Sequence, residues 1–195
     1  MIPQNSVHVH KVIFLGLVAF CLLLFGTLLI QTTASAQMND KKVAPKVGDH
    51  APDCSLQDFK GNKFTLSKLT KKNGVLLWFT NLCEGCQSKI YEVQRLESRY
   101  EKKGIDVVAV SVLGEDRKTV EDVVRKNEVT FWFLYDPKSE ATKRYSGKYI
   151  QGTCPLKNIF VIQRRGKITY AGHLPGADPP ALEKELNNIT GGIEK

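Results

Sequence analysis

Residues 74–86 read GVLLWFTNLCEGC. The first seven form a short apolar run of bulky side chains, the pattern of a strand buried on both faces. Three residues later come two cysteines, Cys83 and Cys86, separated by Glu84 and Gly85. A helical pattern follows from about Cys83 to Lys103, in which Ile90, Val93, Leu96 and Tyr100 recur at three- and four-residue spacing with charges between them. Gly104 stops it, as a glycine after a helix commonly does. A Cys-x-x-Cys set where a buried strand turns into a helix is the arrangement around which the rest of the chain is read.

Working outward, residues 105–112 (IDVVAVSV) are a β-branched run and predict a second central strand. Thr119 to Asn127 predicts a helix with Val120, Val123 and Val124 on one face. Thr130 to Tyr135 predicts a third strand, and Ser139 to Tyr145 a short helix. Ile159–Gln163 and Lys167–Ala171 flank Arg164, Arg165 and Gly166 and read as a closing hairpin. Asp178 is placed to cap a last helix, with Pro179 and Pro180 in its first turn and Leu182, Leu186 and Ile189 on its apolar face, ending at Gly191 and Gly192. On the other side, Cys54 to Leu66 alternates around Phe59, Lys60, Gly61 and Asn62 and predicts a hairpin. The resulting order is that of an α/β domain with a central mixed sheet flanked by helices.

The first 36 residues are a different object. They hold no Asp or Glu and one basic residue, Lys11, whereas residues 37–195 hold the other 27 Lys/Arg and all 20 Asp/Glu. Val12 to Ile30 is uncharged over 19 residues. At about 1.5 Å per residue it nearly spans a hydrocarbon core of about 30 Å. Lys11 precedes it and no Lys or Arg follows until Lys41, which keeps the amino terminus inside and exports the rest. Ala34, Ser35 and Ala36 form an A-x-A pattern of the signal-peptidase type. The segment therefore reads as an uncleaved signal anchor or as a signal peptide cleaved near Ala36. Residues 37–47 are a polar, basic tether in which Lys41, Lys42 and Lys46 lie close to the membrane segment, residues 48–190 the working domain, and 191–195 a tail. Export permits disulfides to persist. It also argues, with the lack of an aromatic-interleaved basic stripe, against nucleic acid as a partner.

In that compartment the cysteine pair reads as redox chemistry. Cys83, at the helix start, lies near N–H groups without intrahelical acceptors, which stabilise a thiolate. It is the nucleophile, and Cys86, one turn in, is the resolving thiol. Glu84 brings a negative charge that opposes the thiolate and so makes the couple more reducing. Structural zinc requires about four ligands, and His50 and His173 are far away in sequence. Covalent haem attachment requires His at position 87, which is Gln. A purely structural disulfide would close only a tiny loop. The domain therefore calls for no organic cofactor and no metal.

Residues 48–64 (GDHAPDCSLQDFKGNKF), 78–86 (WFTNLCEGC), 104–112 (GIDVVAVSV) and 160–168 (FVIQRRGKI) resemble the redoxin part of the thioredoxin superfamily, in particular its AhpC/TSA-like, membrane-anchored TlpA/ResA-type thiol–disulfide oxidoreductases. The resemblance spans Gly48 to Ile189. It implies a thioredoxin fold, Cys83 as nucleophile, Cys86 as resolving thiol, protein thiols and disulfides as partners, and a membrane thiol as electron donor. Family members with an acidic residue inside the motif reduce apocytochrome cysteines in cytochrome c maturation. Three departures stand out. Leu82 replaces a frequent Trp, Cys54 a frequent Phe, and Lys157 occupies the position of the family's cis-proline, with Pro155 two residues earlier. If Pro155 serves as that proline, its neighbour Cys154 lies close to the cysteine pair. Cys154 is then a third redox thiol, or it pairs with Cys54, or both are buried free thiols.

Two other activities share the pattern. Thr80 and Cys83 also fit the Thr-x-x-Cys core of peroxiredoxins, with Lys157 standing in for their arginine. Leu76, where those enzymes have proline, speaks against it. Copper-delivering thioredoxin-like chaperones use two cysteines and a histidine, for which His173 is a candidate, but space their cysteines by three residues rather than two.

Overall fold

The computed structural model describes residues 43–114, 116–174 and 179–191. The predicted membrane span 12–30, most of the tether and the Asp178 cap lie outside these residues. Among the described residues no helix is long and apolar enough to cross a membrane.

The elements are β1 (Ser55–Asp58), β2 (Lys63–Thr65), α1 (Leu66–Leu69), β3 (Gly74–Thr80), α2 (Glu84–Gln87), α3 (Ile90–Tyr100), β4 (Ile105–Ser111), α4 (Arg117–Lys126), β5 (Trp132–Tyr135), α5 (Glu140–Ser146), β6 (Ile159–Ile162), β7 (Ile168–Gly172) and α6 (Pro179–Thr190). The strands form one mixed sheet in the order β2-β1-β5-β4-β3-β6-β7. The centre, β3–β4–β5, is parallel. β1 joins antiparallel to β5, and β6 and β7 are added antiparallel beyond β3. β1 pairs with β2 in the register Leu56 to Phe64. The Asp58 carboxylate closes the intervening turn by accepting from the Lys60 and Asn62 backbone N–H groups, each at 2.8 Å.

β3 explains why its sequence is apolar without alternation. All seven of its residues are buried. Leu76 and Trp78 point into a cluster with Cys86, Ile90, Val93, Leu182 and Leu186, beneath α2, α3 and α6. Val75, Leu77 and Phe79 point the other way, towards Cys54, Phe64, Leu66 and Tyr145 of the α1 and α5 side. Successive strand residues face opposite sides, so a two-sided core requires both sets to be apolar. On the second side Phe79, Tyr145 and Phe160 form an aromatic triad with ring centroids 4.9, 5.0 and 6.3 Å apart. Such pairs contribute about 0.5–1.5 kcal/mol each beyond area burial. Gly74 opens β3 where the Ile189 side chain of α6 packs, 2.9 Å from where a Cβ would sit.

The single helix expected from Cys83 to Lys103 is three pieces: α2, α3 and a 3₁₀ turn over Glu101–Lys103. Lys89 N–H bonds to the Cys86 carbonyl, three residues back, so the ladder tightens between α2 and α3. Gly104 ends the run in the left-handed conformation at φ +78°. α4 starts two residues earlier than expected, capped by the Asp116 carboxylate, which accepts from Thr119 N–H at 3.2 Å. At the sheet's outer edge, Gly48, Asp49 and His50 run beside the start of β7. Gly48 N–H bonds to Ile168 O and Ile168 N–H to Asp49 O, both at 2.9 Å, and His50 forms an antiparallel bridge with Lys167.

Candidate active site

The site lies at the carboxyl end of β3. Thr80, fully buried, ends the strand and turns its hydroxyl back to accept the Leu82 N–H at 3.0 Å. Leu82 takes the left-handed conformation at φ +54°, a strain of about 1–2 kcal/mol for a non-glycine residue. It is held there at both backbone groups, because the Gln87 side chain also donates to its carbonyl at 2.6 Å. Its own side chain is buried. The reversal delivers Cys83 to the surface as the cap of α2 and returns the chain inward at Cys86.

The two cysteines are therefore unlike. Cys83 is exposed and Cys86 has no exposed surface. Glu84 between them is exposed. Asn81 steadies the turn, accepting from Cys83 N–H at 3.2 Å and donating to the Gly152 carbonyl at 3.3 Å. α2 is only four residues long. The expectation of a long helix behind Cys83 is thus corrected: α2 is short and the ladder changes before α3, so Cys83 does not stand at the start of one continuous helix.

A third cysteine faces the pair. Cys154 Sγ lies 4.0 Å from Cys86 Sγ and receives a hydrogen bond from Asn158 Nδ2 at 3.4 Å. The Cys154 bond and burial push the Cys86 thiol well above its ordinary range. The Cys154 thiol is moved down, chiefly by its hydrogen bond with Cys86 and also by that from Asn158, against partial burial and the neighbouring Cys83. Asn158 is itself fully buried. It donates to Leu174 O at 2.9 Å and accepts from Leu174 N–H at 2.6 Å. Pro155 is buried, and its carbonyl meets His173 Nδ1 at 3.1 Å. The preceding loop is pinned by the Tyr149 hydroxyl, which donates towards Val112 O at 3.3 Å and accepts from Gly152 N–H at 3.1 Å. Ile150 and Leu156, on either side of Cys154 in sequence, are 76% and 92% exposed.

The remaining candidates separate. Cys54 is a free thiol buried in the cluster on the opposite side of the sheet from the one that Cys154 packs against, so the Cys54–Cys154 disulfide is not formed. The Thr80 hydroxyl is engaged by the Leu82 N–H, and Lys157, the stand-in for the peroxidatic arginine, is exposed. Among the described residues no three His, Cys, Asp or Glu side chains are grouped to hold a metal ion. Asn81, Gln87 and Asn158 were not singled out by the sequence. Asn158 left one signal, a polar residue directly before the wholly apolar stretch 159–162.

The family model described as AhpC/TSA family matches residues 47–171. The thiol-disulfide oxidoreductase ResA of Geobacillus thermodenitrificans (strain NG80-2) is 29% identical over 136 residues, 70% of this chain and 74% of that protein. A solved structure from Chlorobium tepidum, described as a candidate thiol:disulfide interchange protein DsbE, matches with a TM-score of 0.62 and 25% identity, covering 76% of this chain and all of that one. The thioredoxin domain of a thiol-disulfide oxidoreductase from Bacteroides vulgatus matches with a TM-score of 0.62 over 75% of this chain and 99% of that one. At 16% identity that likeness is one of fold.

Proposed function

The chain belongs to the AhpC/TSA family, within the redoxin branch of the thioredoxin superfamily, and from that premise we propose that it is a thiol–disulfide oxidoreductase that reduces protein disulfides outside the cytoplasm. The observation that carries the reading is the asymmetry of the pair: Cys83 exposed at the start of α2, Cys86 fully buried one turn on. An exposed sulfur can reach a client disulfide, and a buried one can only resolve what the first has formed. Cys83, as thiolate, attacks one sulfur of the client disulfide and expels the other as a thiolate. Cys86 loses its proton and attacks Cys83 Sγ, which expels the second client thiolate. The products are a Cys83–Cys86 disulfide and a client dithiol, and a membrane dithiol donor returns the enzyme to its reduced form. Ile150 and Leu156 supply apolar surface for an unfolded client. Glu84 tunes the couple towards reduction. The sequence of residues 1–36 supports anchoring through 12–30 or release near Ala36, in the periplasm or on the outer face of the cytoplasmic membrane.

The motif acidity supports oxidised haem-binding cysteines of apocytochrome c as the client. The test uses a peptide bearing an intramolecular Cys-x-x-Cys disulfide followed by His. The reduced full chain in detergent converts it to the dithiol. The Cys86→Ser variant stops at a mixed disulfide, seen as the summed mass of protein and peptide. Absence of both products overturns the reading, and hydrogen peroxide consumption that survives Cys86→Ser replaces it with a peroxidase.

A further inference from the structure

Cys86 has two sulfurs within its reach. In the reaction above its partner is Cys83, three residues back. The second is Cys154, whose Sγ lies 4.0 Å from that of Cys86, across 68 residues of chain. That position is built from independent contacts. Asn158 is fixed by both backbone groups of Leu174 and donates to Cys154 Sγ. Tyr149 and Asn81 tie the loop ahead of it to the residue after β4 and to the motif turn, through Val112 and Gly152. The Asn158 amide thus sets the Cys154 sulfur facing Cys86 and donates a hydrogen bond to it at 3.4 Å, a contact that remains when Cys86 is in a disulfide.

Building on the oxidoreductase reading, we infer that Cys154 is a third redox-active thiol, and that the oxidised enzyme partitions between two disulfide isomers, Cys83–Cys86 and Cys86–Cys154. The step is internal exchange. The Cys154 thiolate attacks Cys86 Sγ of the Cys83–Cys86 disulfide, a Cys86–Cys154 bond forms, the Cys83–Cys86 bond breaks, and Cys83 leaves as a thiolate that takes a proton from solvent. No electrons are gained or lost, so no further oxidant is needed. The sulfurs must close from 4.0 Å to about 2.05 Å. The consequence is a change of exposure. The Cys83–Cys86 bond can be attacked from solvent at Cys83, whereas the Cys86–Cys154 bond has one fully buried and one half-buried sulfur. Exchange moves the oxidising equivalent into the interior, away from thiols other than the cognate donor, and leaves the exposed thiol free.

The test is disulfide mapping of the full chain in detergent. Cys83→Ser alters an exposed residue and removes the competing partner. Oxidised with glutathione disulfide, this variant should yield a peptide pair joined Cys86–Cys154, with two glutathiones released per bond. Oxidised wild type should show both isomers, and its Cys83 should be partly alkylated by iodoacetamide, at least tenfold more than in oxidised Cys154→Ser. If Cys86 and Cys154 stay free in Cys83→Ser while wild type still forms Cys83–Cys86 and reduces the client peptide, the inference falls and the oxidoreductase reading stands. If Cys86–Cys154 forms but wild type reduces no client, the reading falls and the third thiol stands.

Discussion

Replacing Asn158 with Ala removes the side chain that fastens the Cys154 segment to the chain beyond β7. Asn158 has no exposed surface and Leu174 is 2% exposed. The amide satisfies the Leu174 N–H at 2.6 Å and its carbonyl at 2.9 Å, and in addition donates to Cys154 Sγ. Truncation leaves one buried donor and one buried acceptor without these partners. Each such group costs about 1–3 kcal/mol, so the expected loss for the two is about 2–6 kcal/mol, a large part of the roughly 5–15 kcal/mol that holds a domain folded. Equilibrium urea unfolding under reducing conditions, which removes any disulfide contribution, measures it. The midpoint should fall with the slope unchanged. A loss below about 1 kcal/mol would refute the reasoning, because it would mean that water or a small backbone shift satisfies Leu174 as well as the amide does.

Two further outcomes follow from the same geometry. Glu84→Gln should make the Cys83–Cys86 potential less negative, by only about 10 mV, since an exposed charge contributes about 0.5 kcal/mol or less and about 30 mV corresponds to 1.4 kcal/mol in a two-electron couple; equilibration against glutathione reads it, and a more negative value contradicts the role. Burial, and behind it Asp53 and Asp136, push the Cys54 thiol from 9.0 up to about 12. The folded state therefore holds that proton more tightly than the unfolded one, and its contribution is whole below pH 9 and lost as pH rises towards 12, at up to about 1.4 kcal/mol per pH unit. Urea unfolding at pH 8 and pH 10 should show a larger drop for wild type than for Cys54→Ala, and equal drops count against it.

The sheet was legible because its centre obeys simple rules. The β3 and β4 runs are apolar at every position that two packed faces demand, and Gly104 marks the boundary between helix and strand. The break between α2 and α3 was not legible. Cys86, Ile90, Val93, Leu96 and Tyr100 keep one apolar phase across it, so side-chain periodicity passes through a change in the backbone ladder. α1 spans four residues, too few to show a period. At the site, the Cys-x-x-Cys announced itself, and the proximity of Cys154 was an implication of family resemblance at Pro155. The separation of Cys54 from Cys154 was hidden, because it depends on which side of the sheet each thiol enters, a fact set by tertiary contacts. Asn158 was missed because its partner, Leu174, lies 16 residues on, beyond the closing hairpin.

The ends of the sheet bear on how the chain behaves in company. An open rim of backbone N–H and carbonyl groups is a template on which another copy can add a strand. Here one rim is β2, three residues long and opened by the exposed Lys63. The other is β7, whose first residue, Ile168, is already engaged by Gly48 and Asp49, with His50 bridging Lys167 just before it. A protein at high concentration meets its own copies often, and neither rim offers them a long, flat stretch to extend. The short β2 and the strap beside β7 thus act as guards against aggregation, on the flanks of a sheet whose middle is too apolar to be left unguarded.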